Sequence, residues 1–274
     1  PLNQIGGIHL NTIEFMNDVH PIRKKSEAND FIKRTDLIKE VYQGVLADLE
    51  KQAKSGIYPP EFVYGHVIKQ LDEFIEYSNE EHPLYTQFMS KINQLDLDQE
   101  DVNYFENEIK RSISESVTPG FKVLRDFMIR TQKYANKNHG IWSQPGGDEY
   151  YKLKIRTFTT TDYSPEKIHQ MGLSEVKRIS ERMRYILSSL GYDESKSVGE
   201  IMNELNENPD FLYADTPDRK EIVVKDYTEM VEEAYEVMKD YFHTMPKSKV
   251  IVKAVPEYSE RTAAGGYYQS PALD

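Results

Sequence analysis

Apolar residues return every three or four positions along most of this chain, and that spacing is the first constraint on its fold. A period near 3.6 gathers side chains on one face of a helix, whereas a half-buried strand needs strict alternation. In TDLIKEVYQGVLADLEKQAKSG, Ile38, Val41, Tyr42, Val45, Leu46 and Leu49 share such a face. Thr35 and Asp36 read as its N-cap and Gly56 as its stop. After Pro60, the residues Phe62, Val63, Val67, Leu71, Phe74 and Ile75 repeat the pattern. A shorter helix is expected over 83–92 and another over 98–116, with a fresh start at Thr118-Pro119 and Phe121, Leu124, Phe127 and Met128 in phase. Ser164, Pro165 and Glu166 form an N-cap, a first-turn proline and a first-turn acid. They open a helix whose stripe is Ile168, Val176, Ile179, Met183, Ile186, Leu187 and Leu190, closed by Gly191. Further helices are expected over 197–207 and 217–242.

The period breaks near the end. KVIVKAVP, residues 249–256, is short and β-branched and reads as a strand. TAAGGYYQSPALD follows, and glycine in an extended segment often marks close approach of another backbone. The expected organisation is therefore mainly α: an irregular arm over 1–30, a helical domain over 31–248, and the start of a β-sheet over 249–274.

Formal net charge is −12, from 46 Asp and Glu against 34 Lys and Arg. A nucleic-acid partner needs a basic face, so that class is set aside. No apolar run reaches the roughly 18–20 residues that cross a bilayer, so no transmembrane segment is expected. The opening PLNQIGGIHL lacks a basic stretch, an apolar stretch and an initiator Met, and is read as a trimmed start. With no Cys there is no thiolate ligand, thiol nucleophile or disulfide.

The histidines are His9, His20, His66, His82, His139, His169 and His243. None is spaced four from another, so the two-histidine zinc helix of metallopeptidases is missing, and no metal ligand or catalytic residue is assigned in this chain. NKNHGIWSQPGGDEYY, residues 136–151, is the strongest loop; Trp142 reads as its anchor into the core rather than as a ligand contact. His169 lies near the inner edge of the stripe and reads as a core or helix-packing histidine. Gly172 costs about 1 kcal/mol relative to Ala in a helix interior, and its expected gain is the close approach of another segment.

GGDEYYKLKIRTFTTTDYSPEKIHQMGLSEVKRI closely resembles a signature block of the bacterial family called domain of unknown function 885. The matching positions are Gly147, Tyr150, Tyr151, Arg156, Thr159 to Thr161, Pro165, Ile168, His169, Gly172, Leu173, Glu175 and Val176. The family's preceding Leu-Pro appears here as Gln144-Pro145. YPPEFV, HPLYTQF and the closing GGYYQSPALD also resemble family landmarks. The resemblance implies a gluzincin-like, zinc-dependent metallopeptidase fold acting on peptide substrates. Its zinc motif resembles His-Glu-Ala-x-Pro-Gly-His-His with a later Glu, and neither stretch occurs here. The implied identity is the N-terminal helical portion of such a hydrolase, inactive alone, holding no cofactor itself, with zinc bound by the complete protein. Substrate contact would fall to Gly265, Gly266, Tyr267 and Tyr268, where an exposed main chain can pair with peptide and a phenol can face an oxyanion. His169 would line the cleft wall. Lipoprotein-type signals in the family imply a lipid anchor on the uncleaved precursor and a periplasmic or envelope location, with the cytoplasm as the other option. The rival reading is a non-catalytic helical binding or scaffold module of the envelope.

Overall fold

The computed structural model describes residues 2, 3, 5–255, 260 and 265–270. The chain is mainly helical, as its periodicity requires. Its internal contacts divide it into two units, Pro1–Tyr151 with Pro256–Asp274, and Lys152–Val255. The division falls inside the range 31–248.

The first unit contains α1 (Ile8–Glu14), α2 (Lys25–Asp36), α3 (Ile38–Lys54), α4 (Glu61–Glu76), α5 (Pro83–Ile92), α6 (Gln99–Ser112) and α7 (Thr118–Thr131). The helix α7 packs against both α3 and α4, while α6 packs against α2 and α5. Aromatic rings fill the space between them. Phe121 stacks on Phe74 at 4.9 Å and meets Tyr42 edge-on at 5.5 Å. A second run joins His20 to Phe31, Phe31 to Phe88 and Phe88 to Phe105. Each such pair adds roughly 0.5–1.5 kcal/mol beyond its area burial. Gly120 permits the α3–α7 approach, because a Cβ there would lie 3.2 Å from both the Lys39 Cα and the Tyr42 ring.

Three local expectations are corrected here. The arm over 1–30 is helical rather than irregular: α1 is followed by a π-helical turn over Phe15–Val19, and α2 begins at Lys25. His9, Ile13 and Met16 recur at helical spacing and are buried, which pays for the order of that segment. Thr35 and Asp36 do not cap α3; they end α2, with Leu37 between the two helices. The cap comes instead from Ser116, whose hydroxyl accepts the Lys39 N–H at 3.1 Å and donates to the Asp36 carbonyl at 2.8 Å. Ser116 lies in a π-helical turn, Ile113–Val117, that carries α6 directly into α7. Thr118-Pro119 opens α7 as expected but makes no break: Pro119, which has no N–H to give the helix ladder, sits in the first turn directly after the widened turn.

The second unit contains α9 (Pro165–Ser189), α10 (Val198–Glu207) and α11 (Arg219–Met238), with α8 (Gly147–Thr159) running across the boundary. The expected caps are in place. The Ser164 hydroxyl accepts the Lys167 N–H at 3.2 Å, and Gly191 ends α9 with φ +85°. Ser197 and Glu200 form a reciprocal capping box on α10. Burial is sparse: among the described residues of this unit, Ile155, Leu187 and Ile201 are the buried hydrophobic side chains.

The strand expected over 249–256 is not formed in 249–255, and residue 256 lies outside the described residues. No strand occurs among the described residues. A β-branched run becomes a strand only when a second strand supplies its ladder hydrogen bonds. The tail at 265–270 is likewise without strand pairing.

Candidate functional site

The tail and α1 of the first unit meet at a polar contact. The Tyr267 phenol donates to Glu14 Oε1 at 3.2 Å. Burial, then the Glu14 charge and the hydrogen bond to it, then Asp18, raise the Tyr267 phenol above its ordinary value. Each cause acts against a phenolate, so the group is held as a proton donor. Tyr268 next to it is 71% exposed. Among the described residues, a Cβ built at Gly265 or Gly266 meets nothing within 4 Å. The four tail residues singled out by sequence are thus together in one exposed segment, with one phenol tied to α1.

His169 belongs to the second unit and is exposed on α9. This overturns its reading as a core or helix-packing histidine. Gly172 is also exposed, and a Cβ there would meet nothing within 4 Å. The close neighbour expected at that glycine is not among the described residues. In this 274-residue chain, Gly172→Ala should therefore raise stability by about 0.5–1 kcal/mol, through helix propensity and a less flexible unfolded chain. Thermal melting monitored by circular dichroism checks it; a lower melting temperature would show a segment already packed on Gly172.

Trp142 corrects another expectation, since it is 68% exposed rather than anchored in the core. Its ring lies across Gly140, where any side chain would collide with the indole. Other groups anchor the loop. The Gln144 side chain accepts the Tyr58 N–H at 3.2 Å and donates to the Tyr58 carbonyl at 2.9 Å. His139 meets the Phe62 ring edge-on at 4.8 Å.

Two of the described histidines are fully buried. His9 on α1 faces Gln70 on α4, with Nε2 2.9 Å from the Gln70 oxygen. His82 accepts the Leu84 N–H on Nδ1 at 3.1 Å and so caps α5. Burial lowers each to about 4, the Gln70 hydrogen bond opposing the shift at His9. His9 Nδ1 and His82 Nε2 have no hydrogen-bond partner. The signal for His9 was its phase with Ile13 and Met16; His82 precedes Pro83 in the way an N-cap precedes a first-turn proline. These are structural groups: neither is presented to solvent.

Among the described residues, no three His, Asp or Glu side chains are arranged to hold a metal ion. No described helix is long and apolar enough to cross a membrane.

A family model described as "Bacterial protein of unknown function (DUF885)" matches residues 1–274. A crystal structure described as that of the "putative lipoprotein from Colwellia psychrerythraea" matches with a TM-score of 0.91 and 32% sequence identity. The match covers 99% of this chain and 46% of that one, so the chain spans less than half the length of this relative. No functionally curated protein matches.

Proposed function

The chain belongs to the bacterial DUF885 family, and on that footing we propose that it is the N-terminal helical portion of a zinc-dependent, gluzincin-like peptidase of the bacterial envelope. The observation that carries the reading is the block Gly147 to Val176, which resembles the family signature position by position. The match to less than half of a longer relative supports its being a portion. That relative's description as a lipoprotein supports the envelope location.

In this reading the tail contributes to substrate binding. The main chain at Gly265 and Gly266 offers hydrogen bonds to an extended peptide. Tyr267, kept protonated beside Glu14, and the exposed Tyr268 supply phenols. The metal ligands and the base belong to the longer protein, and no catalytic step is assigned to these 274 residues. A non-catalytic binding or scaffold module of the envelope is the second reading, favoured by the exposed indole of Trp142.

Metal analysis after dialysis separates the two. The 274-residue chain is expected to retain less than about 0.1 zinc per chain, and the longer protein about one, the stoichiometry of a catalytic site with three protein ligands. A longer protein that also holds no zinc would favour the binding module.

A further inference from the structure

The stripe on α9 is only partly covered. Val176 is 63% exposed, Ile179 46%, Ile186 41% and Leu190 68%. These positions share one helical face with the half-buried Ile168 and Met183 and the buried Leu187. Among the described residues only Leu187 of α9 is buried. Gly172 sits in line with the stripe, one turn before Val176, and leaves a notch in it. A glycine inside a capped 25-residue helix costs stability relative to alanine. Among the described residues, nothing within 4 Å of a Cβ built there recovers that loss.

We propose that this stripe, with the notch at Gly172, is the docking face for the part of a longer DUF885 chain that corresponds to the remainder of the relative's length. The proposal rests on the reading of this chain as a portion of a longer protein. One observation selects that occupant: nearly all of this chain superposes on a relative more than half of whose length lies outside the match, so a protein of that length has chain in hand to cover the face. The notch then has a use, because without a Cβ the helix admits a neighbouring backbone or a large side chain at that level.

The chain contains no Cys, so Val176→Cys introduces a single thiol into it. The measurement is the rate of maleimide labelling at position 176, located by peptide mass mapping, in the 274-residue chain and in the longer protein. Labelling is expected to be fast in the first and at least tenfold slower in the second. Lys177→Cys, off the stripe, should label at similar rates in both. Gly172→Ala provides a second readout: it should raise the melting temperature of the 274-residue chain and lower that of the longer protein. Equal labelling at position 176 in both overturns the proposal. So does protection of the 274-residue chain that rises with its own concentration, which would identify a second copy. Protection given only by phospholipid vesicles would identify a membrane surface and overturn it as well. A coding sequence that stops after Asp274 would remove this proposal and the peptidase reading together. Zinc retained by a longer protein that still labels fast would remove this proposal alone.

Discussion

Acidification from pH 7 to pH 5 is expected to remove about 4 kcal/mol of the first unit's stability, roughly 2 kcal/mol from each of His9 and His82. Both imidazoles are fully buried and neutral, and burial lowers each from 6.5 to about 4. The unfolded chain takes up protons near pH 6.5 while the folded chain still refuses them. Stability is therefore complete above pH 6.5 and falls as the pH drops toward 4, where the loss levels off. The chemistry of the two sites explains the refusal. A proton on His82 would have to occupy Nδ1, the atom that accepts the Leu84 N–H and caps α5. A second proton on His9 would enter Nδ1, which has no acceptor in the core. His20 is also lowered, by burial first, and adds in the same direction. The paired carboxylates Glu27, Glu80 and Glu106 lie below the usual carboxylate range, so their contributions come later, as the medium becomes more acidic.

Against a domain stability of roughly 5–15 kcal/mol, such a loss is a large share. Denaturant midpoints at pH 7.5, 6 and 5, followed by circular dichroism, measure it. His82→Asn is the informative variant, because an asparagine oxygen can accept the same capping N–H without titrating. It should show about half the pH dependence of the parent chain. A midpoint that stays constant from pH 7 to pH 5 would mean that these histidines are not buried in their neutral form.

Helix positions were legible because burial on one face writes a period into the sequence. Residues 83–92 and the Ser164 and Gly191 boundaries of α9 are examples. What bends the chain was not legible. Ser116 caps α3 from 77 positions away, a pairing that exists only after the π-helical turn has placed it beside Asp36. Likewise, nothing local distinguishes a Pro119 that begins a separate helix from one in the first turn of a helix joined to the one before it. The site was legible in type more than in place. Tyr267 and Tyr268 stand out by composition, but Glu14, the partner that holds one phenol protonated, lies at the other end of the sequence. His169 and the stripe beside it misled for a physical reason. Amphipathic spacing states that a face needs covering, without stating which chain covers it, and in the described residues that face of α9 is only partly covered.

If these residues form the N-terminal portion of a zinc-dependent peptidase, the longer protein hydrolyses peptides. The longer protein would be assayed on a mixture of unstructured peptides, with and without a zinc chelator, and again after zinc is restored. Cleavage is expected that chelation lowers by at least about a hundredfold, the scale of losing the principal stabilisation of a developing oxyanion. Zinc should restore it, and the 274-residue chain alone should cleave nothing. Cleavage that persists undiminished in the chelator, or a zinc-loaded longer protein that hydrolyses no peptide, would contradict the peptidase reading.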